Sequence, residues 1–333
     1  MVHTVTGCKS STTNMKVLVF GKDGQLGKAF QQVFSALTPP HPIHVEFLGR
    51  AECDLCNPEA IATTLDKFKP NIIINSSAYT AVDKAETEVD LAYAINARAP
   101  ELMAAYAAEH GATFLHYSTD YVFDGEKYGF YLEDDVRSPL GVYGKSKAAG
   151  EEGIARIFAN SKLGQYAILR TSWVYGDGGN FIRTILRLAK EREELKVIAD
   201  QYGVPTSAQW LAQVSLGLTL NQDGSIKHFP SGIYHAVPAG ETTWHGLATL
   251  AVSAAIKAGV ALKVQPGLIK PIPATEYPLP APRPANSRMS TDKLQSALGG
   301  SRSYNEAQQS PEFPQWEQMV QEYVSRLASR GEI

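Results

Sequence analysis

Lys16-Val17-Leu18-Val19-Phe20-Gly21-Lys22-Asp23-Gly24-Gln25-Leu26-Gly27 runs from a short β-branched and aromatic stretch into a glycine turn, and a helical pattern from Lys28 to Leu37 follows. That is strand, glycine turn, helix. Glycines at Gly21, Gly24 and Gly27 allow a tight turn and let backbone N–H groups approach an anionic group held at the helix N-terminus. The spacing is G-x-x-G-x-x-G, not the G-x-G-x-x-G of many dinucleotide-binding turns. Its position after a first strand supplies the context such a turn requires.

Strands and helices alternate downstream. Val45–Leu48 reads as a second strand, Pro58–Lys67 as an amphipathic helix, and Pro70–Asn75 as a third strand running into Ser76-Ser77-Ala78-Tyr79. Helices are expected over 89–97 and 100–110, strands over 113–117 and 166–170, and a helix around Tyr143. This alternation predicts an α/β fold, a doubly wound parallel sheet of Rossmann-like type. A ligand is then expected beyond the C-terminal strand ends, where Gly21, Arg50, Ser77 and Thr119 all fall. After Thr171 the alternation weakens: a helix over 181–191, a strand over 195–198, a loop over 200–206, and a proline-rich stretch over 271–284 that suits neither helix nor central strand. The expected organisation is a loose tail over 1–14, a dinucleotide-binding domain over 15–171, and a smaller, interlocked C-terminal lobe over 172–333. That lobe is expected mainly to bind substrate and partly to return to pack on the first domain. A final helix is expected over 314–329.

Composition narrows the function. A net charge of −3 over 333 residues offers no basic face for nucleic acid or an anionic membrane. No apolar run approaches a membrane span, and the N-terminus lacks the apolar centre of a signal peptide. A cytoplasmic location is expected. Three cysteines, Cys8, Cys53 and Cys56, make no disulfide framework, and neither a second Cys pair nor H-E-x-x-H supports a metal site.

Chemistry concentrates in Tyr143-Gly144-Lys145-Ser146-Lys147, with Ser118-Thr119-Asp120-Tyr121 upstream. Residues four apart share a helix face, so Tyr143 and Lys147 are expected in one pocket. A phenol titrates near ~10, and an ammonium within about 4–6 Å would lower that value. Together with the glycine turn these residues read as a nicotinamide-dependent carbonyl reductase. At the end of the second strand, Arg50 stands where an acid would hold an adenosine ribose. It is either a receptor for a 2′-phosphate or a surface charge.

Five ordered motifs carry a resemblance: Gly21–Gly27, Ala78-Tyr79-Thr80-Ala81-Val82-Asp83-Lys84-Ala85-Glu86, Ser118-Thr119-Asp120-Tyr121-Val122-Phe123-Asp124-Gly125, Tyr143–Lys147, and Arg170-Thr171-Ser172-Trp173-Val174-Tyr175. They resemble the dTDP-4-dehydrorhamnose reductase family of extended short-chain dehydrogenases/reductases, and the likeness extends from Met15 through Arg283–Ser287. The resemblance implies hydride transfer from NADPH or NADH to C4 of dTDP-4-dehydro-L-rhamnose, the last step of dTDP-rhamnose synthesis for cell-surface polysaccharide. It implies Tyr143 as proton donor, Lys147 as its tuner and ribose contact, and Thr119 as a second donor to the C4 oxygen. On the cofactor side it implies Gly21, Gly24, Gln25, Leu26 and Gly27 at the pyrophosphate, Asp54 and Leu55 at the adenine, and Ser77, Ala78, Tyr79 and Tyr117 toward the ribose. For the nucleotide sugar it implies Asp120, Tyr121, Trp173, Asn180, Gln201, Arg283 and Ser287. Some relatives form homodimers around Mg²⁺ held by glutamates; no residue of this sequence is assigned to that metal.

Two alternatives stay open. A sugar-nucleotide epimerase or dehydratase could share the fold, although a 4,6-dehydratase needs a Thr-Asp-Glu run where this chain has Thr119-Asp120-Tyr121. The regulatory subunit of methionine adenosyltransferase is also similar and non-catalytic. Retention of Thr119, Tyr143 and Lys147 together argues for a reductase.

Overall fold

Met15–Phe20 forms β1, whose last four residues are buried, and its apolar run suits a strand covered on both faces. The computed structural model describes residues 15–39, 42–161, 163–299 and 313–333; the expected tail over 1–14 lies outside them. Five more strands join β1 in one sheet: β2 (Ile43–Leu48), β3 (Ile72–Asn75), β4 (Thr113–Thr119), β5 (Gln165–Thr171) and β6 (Gly232–His235). Their order is β6-β5-β4-β3-β1-β2, and every pairing is parallel. The doubly wound parallel sheet expected from the alternation is present. Because β1 lies between β2 and β3, the chain reverses direction across the sheet there, which opens a ligand crevice beyond those strand ends.

Alternate residues of each strand feed opposite cores. Val17, Val19, Ile72, Ile74, Leu115 and Leu169 pack with Phe30 of α1 (Gln25–Ala36) and with Leu211, Val214 and Leu218 of α6 (Ala208–Thr219). Leu18, Phe20, Ile73, Phe114 and Ile168 pack with α2 (Pro58–Phe68), α3 (Ala99–His110) and α4 (Val142–Ala159). Asn57 caps α2 by accepting from the N–H groups of Glu59 and Ala60, and Pro58 fills the first position, where its missing donor does no harm. A third core joins α5 (Phe181–Glu191), α7 (Trp244–Lys257) and α8 (Trp316–Ser329).

Several local expectations are corrected. The first helix starts at Gln25, not Lys28, and β4 runs on to Thr119. The helix expected over 89–97 divides into Val89–Tyr93 and a π-turn over Ala94–Arg98 that leads into α3. The proline-rich stretch begins inside a short strand, Ile269–Ile272, paired with Leu195–Ile198 in a separate two-stranded sheet where Pro271 removes no central hydrogen bond. Helices α6 and α7 and strand β6 occupy a region where the sequence suggested no element.

Candidate active site

The crevice starts where β1 ends. Gly21 turns the chain at φ +92°, and a Cβ there would lie 2.8 Å from both the backbone nitrogen and the hydroxyl of Ser77. A Cβ on Gly27 would lie 2.0 Å from the Gly21 carbonyl oxygen. Both positions require glycine. Gly24 differs: its Cβ would meet only the Gly21 carbonyl, at 3.5 Å, so there is room beside the start of α1. No side chain caps α1 and its first turn carries no acid, leaving the positive helix end available to an anion. These features fit a cofactor pyrophosphate. Gln25 is half-buried and tied to the Val174 carbonyl at 3.4 Å, while the Leu26 side chain is in the core.

At the end of β2, Arg50 is exposed, with Nε 3.9 Å from Asp54 Oδ2. Arg50 thus stands at the strand end as read, and an acid two residues further on lies close by. The chain folds back after Gly49, so that Glu52 Oε2 accepts the Gly49 N–H at 2.8 Å while Oε1 pairs with Lys22 Nζ at 2.5 Å. Asp23 also crowds Gly49. Leu55 packs on the edge of the second core beside buried Cys53, and Asp54 accepts the Cys56 N–H.

Thr119 ends β4, Tyr143 lies in the first turn of α4, and Lys147 follows one turn on. The Tyr143 ring meets Tyr121 edge-on at 5.4 Å. Burial, helped by the Asp120 carboxylate, pushes the Tyr143 phenol up to about 12, against a hydrogen bond with Thr119. The expected downward shift by Lys147 is therefore reversed. The ammonium is directed elsewhere: Lys147 Nζ donates to the Tyr117 carbonyl at 2.5 Å and lies 3.2 Å from His116 Nε2. Burial pulls Lys147 itself down to about 8, with Glu151 opposing.

Around these groups the C-terminal half supplies a strap. Asp120 Oδ1 accepts from the Thr119 hydroxyl at 2.9 Å, and Oδ2 accepts from the Ser287 hydroxyl. Burial raises this carboxyl to about 6, held back by those two donors. Ser287 is fixed in turn by its N–H to the Tyr202 carbonyl at 2.7 Å. Arg283 directs its planar fork at Asp83, at 2.6 and 2.9 Å, and also bonds the Tyr121 hydroxyl. Trp173 adopts φ +48°, a strained conformation for a bulky residue. It stacks on Trp244 at 3.8 Å and fills the space beside Gly203. Gln201 is buried nearby in sequence.

Other expected residues are placed differently. Asn180 caps α5 and spends its amide on Gln25, the Gly176 and Gly178 carbonyls and the Tyr323 hydroxyl. Tyr117 points its hydroxyl at Ser215, 2.6 Å away, so only its carbonyl reaches Lys147. The Tyr79 hydroxyl donates to Glu88, which with burial raises the phenol to about 12. Ala78, next to it, is partly exposed.

The sequence reading missed several supports. Asn96, within the π-turn, clamps both the N–H and the carbonyl of Tyr79 and donates to Ser146 Oγ at 3.0 Å, and Ser146 in turn donates to the Tyr143 carbonyl. A π-turn at such a position often marks function. Glu151 holds Arg170 through two hydrogen bonds of 2.8 and 2.7 Å, both side chains fully buried. For Asn96 and Arg170 the only signal was a polar side chain in an apolar setting, Ala94-Ile95-Asn96-Ala97 and Ala167-Ile168-Leu169-Arg170; Ser146 and Glu151 carried none. Among the described residues, no group of three or more His, Cys, Asp or Glu side chains is placed to hold a metal, and no helix is long and apolar enough to cross a membrane.

Comparison with known proteins agrees with this architecture. A dTDP-4-dehydrorhamnose reductase from Salmonella typhimurium is 41% identical over 320 residues, 94% of this chain and 98% of that protein. The crystal structure of a dTDP-4-dehydrorhamnose reductase from Clostridium acetobutylicum superimposes with a TM-score of 0.80 at 33% identity, covering 94% of this chain and 99% of the other. Another, from Bacillus anthracis in complex with NADP, gives 0.79 at 32% identity, covering 94% and 100%. The family profile described as RmlD substrate binding domain matches residues 15–328, and the chain belongs to that family.

Proposed function

We propose that this chain uses a nicotinamide cofactor, NADPH or NADH, to reduce the C4 keto group of dTDP-4-dehydro-L-rhamnose to dTDP-L-rhamnose. The observation that carries the reading is the placement of Thr119 at the end of β4 and of Tyr143 in the first turn of α4, with Lys147 one turn on, at the sheet edge where the uncapped α1 also begins. The bound dihydronicotinamide supplies the hydride. Tyr143, protonated throughout the neutral range, gives its proton to the C4 oxygen as negative charge develops there. Thr119, whose one O–H donates to Asp120 at 2.9 Å, would turn that hydrogen to the same atom as a second donor, and two donors converging on developing charge favour the transition state over the ground state.

The work divides along the chain. Residues 15–171 would carry the cofactor: backbone N–H groups from Gly24 onward would hold the pyrophosphate, Ser77 and Tyr79 would line the ribose side, and Lys147 would supply a positive charge to the nicotinamide ribose. Residues 172–333 carry the sugar nucleotide, with Trp173 against Trp244 as a pocket wall and Ser287 fixing Asp120. Arg283 already shows, on Asp83, the bidentate geometry with which a guanidinium takes a diphosphate. Oxidation of NADPH and of NADH with dTDP-4-dehydro-L-rhamnose, against its UDP and GDP analogues, tests the assignment. Turnover selective for the dTDP sugar is expected, and no consumption of either cofactor with it would overturn the reading.

A further inference from the structure

Behind Lys147 lies a buried chain of polar groups that the chemical step does not use. Asn75, His116 and Lys147 are each no more than 1% exposed. The Ser77 N–H donates to Asn75 Oδ1 at 3.2 Å, Asn75 Nδ2 lies 3.2 Å from His116 Nδ1, and His116 Nε2 lies 3.2 Å from Lys147 Nζ. Burial and the neighbouring Lys147 hold His116 well below its ordinary value, so the ring is neutral and has one N–H.

The donors and acceptors in this chain cannot be rearranged independently. With Asn75 Oδ1 taken by Ser77, the amide presents its NH₂ to His116, so Nδ1 accepts and Nε2 carries the proton. That N–H points at Lys147, which can accept it only as a neutral amine, since an ammonium has no lone pair. A charged Lys147 demands the opposite order. His116 Nε2 must then accept, Nδ1 must donate, and Asn75 must turn its oxygen to the ring, releasing the Ser77 N–H. Ser77 is the residue against which Gly21 packs, its backbone nitrogen 2.8 Å from a Cβ built on that glycine, so the released donor is in the wall of the crevice.

We propose that Asn75 and His116 form a two-state relay that couples protonation of Lys147 to release of the Ser77 N–H for the cofactor. The inference rests on the cofactor reading above. In one state Lys147 is neutral and Ser77 is bonded inward; in the other Lys147 is charged and Ser77 is free to donate to an anionic ligand. A ligand that accepts from Ser77 selects the second state, and by reciprocity its binding draws a proton from the buffer onto Lys147. The other groups facing Lys147 do not replace the relay: Tyr143 and Glu151 lie on its own helix, and from β4 the Tyr117 carbonyl accepts from it in either state. Burial places the amine near pH 8, within the range where the switch can be observed.

The test uses the intact chain and two readouts other than turnover. Nitrogen NMR of the His116 ring in the ligand-free protein should show the Nε2–H tautomer at pH 9.5 and the Nδ1–H tautomer at pH 6.5. Calorimetry of NADP⁺ binding at about pH 8.5, in buffers of different ionisation enthalpy, should show uptake of a substantial fraction of one proton. Asn75→Asp offers His116 only acceptors, so Lys147 stays charged; this variant should bind NADP⁺ with uptake near zero. A single His116 tautomer at both pH values, or equal proton uptake by wild type and Asn75→Asp, would overturn the relay. If Asn75→Asp fails to fold, the wild-type tautomer measurement decides alone. Absence of NADP⁺ binding would overturn the cofactor reading and the coupling with it, and is distinguishable because the pH-driven tautomer change needs no cofactor.

Discussion

Replacing Lys147 with Met separates the electrostatic penalty of the buried amine from its hydrogen bonds, because the two effects respond differently to pH. In the folded chain Lys147 titrates near 8 instead of 10.5; at ~1.4 kcal/mol per pH unit this is about 3 kcal/mol of folding stability. The sign follows from proton counting. Between pH 8 and 10.5 the unfolded chain still binds a proton that the folded chain has released, so stability rises with pH across that window. The gain is complete above 10.5 and absent below 8. Met removes it. Met also leaves the Tyr117 carbonyl and His116 Nε2 without their partner, which costs about 1–2 kcal/mol at every pH. The variant should therefore be more stable than wild type by about 1–2 kcal/mol at pH 7, and less stable by a similar amount above pH 10. Urea unfolding of both proteins at pH 7, 8.5 and 10.5, with unchanged slopes, measures the difference; contributions from the raised tyrosines appear in both proteins and cancel. A stability difference that does not change with pH would refute the displaced titration of Lys147.

Tyr143→Phe should preserve packing against Tyr121 and lower single-turnover reduction of the 4-keto sugar by ~10²–10⁴; retention of the wild-type rate would remove Tyr143 as the donor. Since burial holds this phenol at about 12, its proton is lost only at strongly alkaline pH. A stopped-flow pH profile should show no decline attributable to Tyr143 below about pH 10, and a decline near 8 that Lys147→Met abolishes belongs to the amine. Arg50→Ala should raise KM for NADPH and leave NADH nearly unchanged if Arg50 receives the 2′-phosphate; equal KM changes for both would make it a surface residue. Glu151→Gln leaves the buried Arg170 guanidinium without its charged partner and should destabilise the fold by about 3–5 kcal/mol in urea; a loss under 1 kcal/mol would mean that the pair is replaceable.

The sheet could be read from the sequence because its signals are local. Val17–Phe20 and Ile72–Ile74 are continuous apolar runs that only a strand buried on both faces accommodates, and the glycines after the first run mark the crevice. Lys147 shows where local reading ends. Spacing put Tyr143 and Lys147 on one helix face, and both are there, but which neighbour the ammonium chooses depends on β4. The Tyr117 carbonyl and His116 come from residues about thirty positions upstream, and no periodicity in α4 announces them. The same limit explains Glu52, which reaches Gly49 only because the chain folds back at Arg50, and Asn180, which resembles a substrate contact until its place at the start of α5 shows where its hydrogen bonds go.

The helices over 208–219 and 244–257 escaped notice for a related reason. Each is apolar on most sides, with buried Leu211, Val214 and Leu218 in one and Leu247, Ala251 and Val252 in the other. A helix buried nearly all round has no amphipathic stripe to reveal it. Their burial has a consequence at the crevice. Trp244, the first residue of the second helix, stacks on Trp173, whose left-handed backbone is stable only if the surroundings over-determine it. The wall of the expected sugar pocket is thus fixed by a helix remote in sequence from the residues that bear the chemistry. The spacing of Tyr143 and Lys147 on α4 is local, whereas their meeting with Thr119 of β4 and the wall that Trp173 forms against Trp244 are tertiary products.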